Sequence, residues 1–261
     1  MKMELDIYQV DAFAKKVFEG NPAAVCPLEE WLTDDIMQSI AAENNLAETA
    51  FFVPNENGFY IRWFTPTKEV SLCGHATLAS AHILFSELNY QGESIVFDCM
   101  SGELIVKKAE TGYEMDFPSQ PGEVCDKFDE AEEIFSKRPI ACLKHEDYVL
   151  VFDDEEFIRN ANFDISLLKA WDLRGVMITA ASTEYDFISR FFAPNYGINE
   201  DPVTGSSFTK LIPYWADKLN KQTMFAKQLS PRGGEVHCQL NNDRVLISGG
   251  AITYLKGKII V

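Results

Sequence analysis

Apolar and polar residues broadly alternate over residues 4–13, with Ile7, Val10 and Phe13 among polar neighbours, and this period of two predicts a β-strand. Gly20-Asn21-Pro22 marks a turn, and the apolar run 23–26 predicts a second strand. Thr33-Asp34-Asp35 starts a helix expected to reach about residue 43, with Thr33 as its cap and the two acids at its positive end. Residues 47–54 and 59–64 read as paired strands around Asn55-Glu56-Asn57-Gly58. The strongest helix of the first half spans 76–88. Ala76, Ala79, Ser80 and Ala81 give it small residues that let surrounding backbone approach, which suits a central, buried helix. Strands follow at 94–98, 103–108 and 113–117.

Pro118-Ser119-Gln120-Pro121-Gly122 is the clearest linker. Beyond it the order repeats. Strands are predicted near 148–152, 176–180 and 187–192, with a helix near 164–171. Another helix follows Ser206, with Leu211, Ile212 and Trp215 on its apolar face. Strands at 235–240, 244–248, 251–255 and 258–261 close the chain, the last of them expected to pair back onto the first half.

Motifs repeat with the elements. Arg62-Trp63-Phe64-Thr65-Pro66 matches Arg190-Phe191-Phe192-Ala193-Pro194, Cys73-Gly74-His75 matches Thr204-Gly205-Ser206, and Gly102-Glu103-Leu104 matches Gly234-Glu235-Val236. The offsets are 128, 131 and 132 residues (62 to 190, 74 to 205, 102 to 234). Constant order and nearly constant offset indicate a duplicated domain. The expected halves are residues 1–117 and 123–250, joined by 118–122, with about 251–261 returning to the first. A length of 261 residues and a 46% hydrophobic content are enough for two cores.

A net charge of −17 leaves no basic footprint for nucleic acid. The acidic clusters at 123–133 and 153–156 read as solvated surface. No apolar run is long enough to span a membrane and no secretory signal is visible, so a cytoplasmic protein is expected. The six cysteines show no C-x-x-C spacing and the four histidines no H-x-x-x-H pair. Neither a disulfide framework nor a zinc site is expected.

Each repeated Gly turn precedes a helix, where exposed N–H groups and the helix dipole favour a small anionic ligand. The differences between the copies carry the chemistry. Glu48 lies in the apolar run Leu46-Ala47-Glu48-Thr49-Ala50-Phe51, where its twin is Val176 or Met177. It either faces water on an edge strand or is desolvated, which would raise its proton affinity into the range of general acid/base work. His75 begins the helix after the turn, and its twin is Ser206. Asp201 precedes the second turn as a turn residue, an approach cap or a site residue. His82, His145 and His237 lack such a setting. Cys73 gains acidity at a helix start, but its twin is Thr204, so the second thiol of a two-thiol racemase is missing and a buried, inert Cys73 is the simpler reading.

Glu19-Gly20-Asn21-Pro22-Ala23-Ala24-Val25, Glu48-Thr49-Ala50-Phe51, Leu72-Cys73-Gly74-His75-Ala76-Thr77, Asp201-Pro202-Val203-Thr204-Gly205-Ser206 and Arg232-Gly233-Gly234-Glu235 together resemble the phenazine-biosynthesis PhzF-like family. The resemblance runs nearly end to end. It implies an α+β fold like that of diaminopimelate epimerase: two pseudo-symmetric domains, each a curved, barrel-like sheet around a central helix, with the active site in the cleft between them. It also implies a homodimer without cofactor or metal. In the phenazine-pathway member the reaction is isomerisation of a dihydro-hydroxyanthranilate by proton transfer. The family's catalytic Glu falls on Glu48, its Gly-His pair on Gly74 and His75, its Asp on Asp201 and a substrate-contacting Ser on Ser206. Cys73 and Thr204 fall on the two catalytic cysteines of the related epimerases. One departure is Ser207-Phe208, where many relatives have a small residue and His, so apolar bulk is expected near the second helix start.

Together these readings point to a cofactor-independent isomerase. Glu48 moves a proton on a small carboxylate-bearing substrate, His75 and Asp201 orient it, and Gly74, Gly205, Ser206 and Asn21 bind it. The rivals are a Cys73-assisted amino acid epimerase or racemase, and a non-catalytic protein that binds a small carboxylate ligand.

Overall fold

The computed structural model of the chain describes residues 2–261. It divides into two compact units. One holds the residues up to Asp116 together with Ser248–Val261, the other Phe117–Ile247.

The strands of the first unit are β1 (Glu4–Ala12), β2 (Asn21–Pro27), β3 (Glu48–Pro54), β4 (Phe59–Phe64), β5 (Glu69–Val70), β6 (Ser94–Cys99), β7 (Gly102–Ala109) and β8 (Gly112–Pro118), with the C-terminal strand, β17 in chain order (Ala251–Ile260). Its helices are α1 (Asp34–Asn44) and α2 (Gly74–Ser86). The sheet runs β17-β1-β2-β3-β4-β6-β7-β8, with β5 a short partner on β4. β2–β3 and β4–β6 are parallel and enclose α1 and α2 as crossovers. Gly20 makes the β1–β2 turn at φ +66, where a Cβ would stand 2.1 Å from the Ala12 carbonyl oxygen, so only glycine fits.

Every residue of α2 from His75 to Ala81 is buried, and the helix lies against β1, β2, β3, β7 and β17. Its small side chains permit that enclosure. The two hydroxyls within it are satisfied locally, Thr77 donating to the Cys73 carbonyl at 2.6 Å and Ser80 to the Ala76 carbonyl at 2.8 Å. α1 instead buries one stripe, Met37, Ile40 and Ala41, against Ala24, Cys26, Phe51 and Val53. Those strand residues alternate with the ones facing the other side of the sheet. Thr33 occupies the N-cap position of α1, but its side chain makes no capping bond, so Asp34 and Asp35 in the first turn supply the favourable interaction alone.

In the second unit the elements are β9 (Glu123–Val124), α3 (Phe128–Phe135), β10 (Ala141–Lys144), β11 (Tyr148–Val151), α4 (Glu155–Asn160), β12 (Val176–Ala181), β13 (Phe187–Phe192), α5 (Phe208–Leu219), β14 (Thr223–Gln228), β15 (Gly234–Asn241) and β16 (Arg244–Gly249). The strands lie in chain order. From β10 to β15 the pairings run antiparallel, parallel, antiparallel, parallel, antiparallel, as they do from β1 through β2, β3, β4 and β6 to β7. The duplication is therefore legible in topology as well as in motif. α5 takes the place of α2 and buries Phe208, Leu211, Ile212 and Trp215. Trp215 stacks on Phe187 with ring centroids 5.6 Å apart and donates from Nε1 to the Thr179 hydroxyl at 3.0 Å.

Three expectations change. Residues 165–170 form a 3-10 helix, with the Asp164 carboxylate accepting from the Ser166 amide, where an α-helix was expected. The acids of the two clusters face water as expected, Asp154 and Glu155 in part, but most of them sit on two helices that the pattern did not predict. α3 buries Ala131 and Phe135 beneath its charges, and α4 buries Ile158 and is capped by Asp154, which accepts from the Phe157 amide. The two predicted closing strands are one strand, β17, paired antiparallel with β1 along its length. Among the described residues no helix is long and apolar enough to cross a membrane.

Candidate active site

In the first unit the sequence-singled residues converge where β2 and β3 begin and α2 starts. The parallel β2–β3 register sets Ala23 beside Glu48, two residues along from Asn21. β3 is flanked by β2 on one side and β4 on the other. Glu48 is therefore not on an edge strand, and its side chain is only 13% exposed, which removes the water-facing alternative. α2 opens at Gly74, one residue earlier than His75, with Cys73 as N-cap residue in extended conformation. The first N–H groups of a helix have no partner within it, so this end is an anion-favouring surface.

The His75 side chain is 8% exposed and reaches in three directions. Nε2 lies 3.2 Å from Glu48 Oε2, and Nδ1 lies 3.4 Å from Asn21 Nδ2 and 3.5 Å from Cys73 Sγ. An amide nitrogen and a thiol are both donors, so Nδ1 is the acceptor and the ring proton is assigned to Nε2, the atom facing Glu48. The Nε2···Oε2 approach is a contact off hydrogen-bond alignment. Burial drives the His75 pKa down to about 4, so the ring is neutral at neutral pH. The couple is a carboxyl group against a neutral imidazole, not an ion pair. A neutral imidazole N–H can stabilise negative charge developing on a substrate oxygen.

The second unit builds a different cluster around the equivalent turn. Asp201 is buried, and its carboxylate accepts a hydrogen bond from the Thr204 hydroxyl. Gln228 ties the turn together. Its carbonyl oxygen accepts from the Thr204 amide at 2.9 Å, and its NH2 group donates to the Asp201 carbonyl at 2.9 Å and the Thr204 hydroxyl at 3.1 Å. Gly205 is buried at the head of a 3-10 turn, Gly205–Ser207, that runs into α5. The Ser206 hydroxyl accepts from Arg174 at 3.0 Å. Arg174 in turn is gripped bidentately by Asp147 at 2.8 and 2.5 Å. Lys210, wholly buried on α5, donates to the Ser206 carbonyl at 3.3 Å and lies 3.1 Å from Glu146 and 3.5 Å from Asp147. Phe208 does not project as bulk at this turn. It is fully buried in the unit's core, 6.2 Å from the Phe187 ring.

Within the first unit the structure thus brings Glu48, His75, Cys73 and Asn21 together, with Gly74 at the same helix start. Within the second it gathers Asp201, Gly205 and Ser206. Sequence reasoning missed Arg174, Asp147, Lys210 and Gln228. A signal existed for Lys210, a charge beside Leu211 and Ile212 on an apolar helix face. His82 is accounted for structurally, bonding Tyr113 at 3.0 Å and Thr253 at 2.9 Å, and His145 and His237 are exposed.

A family model described as phenazine biosynthesis-like protein matches residues 10–257. The chain belongs to this family. An uncharacterized isomerase of Pseudomonas aeruginosa is 48% identical over 257 residues, covering 98% of this chain and 99% of its own. The crystal structure of a PhzF-family phenazine biosynthesis protein from Enterococcus faecalis superposes with a TM-score of 0.96 at 45% identity, covering 98% and 99% of the two chains. A hydroxyproline epimerase from Agrobacterium vitis matches with a TM-score of 0.60 at 8% identity, a likeness of fold alone. The fold is thus the mixed α+β, epimerase-like fold of PhzF-family proteins.

Proposed function

We propose that this chain is a cofactor-independent isomerase that moves a proton on a small carboxylate-bearing substrate, with Glu48 as the acid/base group. The observation that carries this reading is the approach of the mostly buried Glu48 carboxyl to the neutral His75 ring at 3.2 Å, at the start of a buried helix. A general base must be desolvated enough to bind a proton and free to return it, and a carboxyl group on a rigid strand end meets both needs. In the proposal His75 stabilises charge developing on the substrate. Gly74, Asn21, Gly205 and Ser206 hydrogen-bond the substrate, and Asp201 orients it. The isomerase name of the Pseudomonas relative supports the reaction class. The asymmetry supports a single base, since the positions matching Glu48 hold Val176 or Met177.

One observation favours a second reading. Cys73 Sγ lies 3.5 Å from His75 Nδ1, a spacing at which imidazole can take a thiol proton, as a Cys73-assisted epimerase would require. A purely binding protein has no evident need for the Glu48–His75 contact. The test is incubation in deuterated water with a panel of cyclic and amino acid-like carboxylates, dihydro-hydroxyanthranilate included, with mass spectrometry to detect label. The proposal expects label in at least one compound and an almost unchanged rate in Cys73→Ala. A collapse of the rate in Cys73→Ala moves the chemistry to the thiol. A ligand found by thermal shift that takes up no label marks a binding protein.

A further inference from the structure

The cluster at the start of α2 also has the composition of a metal site. One imidazole nitrogen of His75, Sγ of Cys73 and one carboxylate oxygen of Glu48 all lie within 4.8 Å of one another. Neither the Cys73-x-His75 spacing nor a glutamate 25 residues before the cysteine matches a recognised zinc motif. The three donors meet only because β3 begins beside the first turn of α2.

Tetrahedral zinc bonds sulfur at about 2.3 Å and nitrogen or oxygen at about 2.0–2.2 Å, which separates its ligand atoms by roughly 3.3–3.6 Å. The observed contacts run from different ring nitrogens, Nε2 to Glu48 at 3.2 Å and Nδ1 to Cys73 Sγ at 3.5 Å, so an ion held by one nitrogen has one neighbour at that spacing and draws the other donor in. Bringing all three donors onto one ion from a mutual separation of at most 4.8 Å needs movements of no more than roughly 1.5 Å. The donor set is a thiolate, an imidazole and a carboxylate. That set selects zinc-class ions and disfavours magnesium or calcium, which take oxygen ligands. Three protein ligands leave the fourth position open.

We infer that Glu48, Cys73 and His75 form a three-ligand site for a thiophilic divalent cation of the zinc class. This inference does not rest on the isomerase reading. If that reading also holds, an ion here occupies Glu48 and His75 and zinc acts as a reversible inhibitor. Binding and inhibition are separately measurable.

The experiment titrates the full-length protein, kept reduced with a thiol-free reductant, with cobalt(II) and then zinc(II). The expected result is one cobalt per chain in four-coordinate geometry, with a thiolate-to-cobalt charge-transfer band that zinc abolishes and magnesium does not. The charge-transfer band disappears in Cys73→Ser and in Cys73→Ala, both checked for native circular dichroism. Affinity falls at least tenfold in His75→Gln and in Glu48→Gln. Cobalt binding without the band, or with a band that persists in the folded Cys73 variants, overturns the inference. A site that binds as expected in a protein that exchanges no substrate proton leaves it standing while the isomerase reading fails.

Discussion

Glu48→Gln is expected to lower proton exchange into substrate by about 10²–10⁴-fold, the range attributed to a positioned acid/base group. The change is nearly isosteric. An amide at residue 48 can keep the approach to His75 Nε2, now 3.2 Å from the carboxyl oxygen, but it cannot hold a mobile proton. β3 is paired on both sides through Ala23–Glu48 and Thr49–Phe64, so the strand has no reason to shift. Thermal stability of the variant should therefore stay near that of the parent while the rate collapses. A Glu48→Gln protein that exchanges at the parent rate would remove Glu48 from the reaction.

The largest expected effect on stability belongs to Asp147, in the second unit. Its side chain is fully buried, and it holds Arg174 by two hydrogen bonds and lies 3.5 Å from the equally buried Lys210. Removing Asp147 leaves the wholly buried Lys210 with only the half-exposed Glu146 as counter-charge, and breaking a buried pair in this way costs about 3–5 kcal/mol. Asp147→Ala is expected to lower the urea midpoint by on the order of 1–2 M with little change in slope. Glu146→Gln should cost far less, because that side chain is 55% exposed and its contact with Lys210 is screened by water. Equal and small effects from both would mean that the cluster is solvated. The cluster also grips the turn that carries Ser206, through the Arg174 bond to its hydroxyl and the Lys210 bond to its carbonyl. Loss of Asp147 should therefore loosen that turn as well as the core.

What was legible in the sequence follows from what local pattern can encode. The strand at Phe187–Phe192 falls at its predicted bounds, since a short segment rich in Phe and Ile that ends before Ala193-Pro194 leaves little choice of length. The repeat offsets foretold the shared order of pairings because motif and topology were duplicated together. α3 was hidden by its acids, although Phe128, Ala131 and Phe135 recur at the spacing of one helix face. The 3-10 geometry at Ile165–Ala170 depends on how the segment packs, which its composition does not record. Glu48 and His75 were each singled out by the absence of a matching residue in the other copy. Their contact spans 27 positions and depends on the parallel β2–β3 register and on the crossover that returns α2 to the sheet. The cluster of buried Asp147 and Lys210 with the part-exposed Arg174 was illegible for a similar reason. Each charge alone looks solvated, and only the fold brings them under cover.

The central claim is that Glu48 removes a proton and, after its carboxyl group exchanges with solvent, delivers one to the same face of the substrate. The most direct measurement is NMR of the product formed in deuterated water, read for the face on which the new deuteron sits. The account predicts a deuteron on the face from which the proton left, and no label in the Glu48→Gln reaction. A deuteron on the opposite face requires a second acid across the substrate and would contradict it.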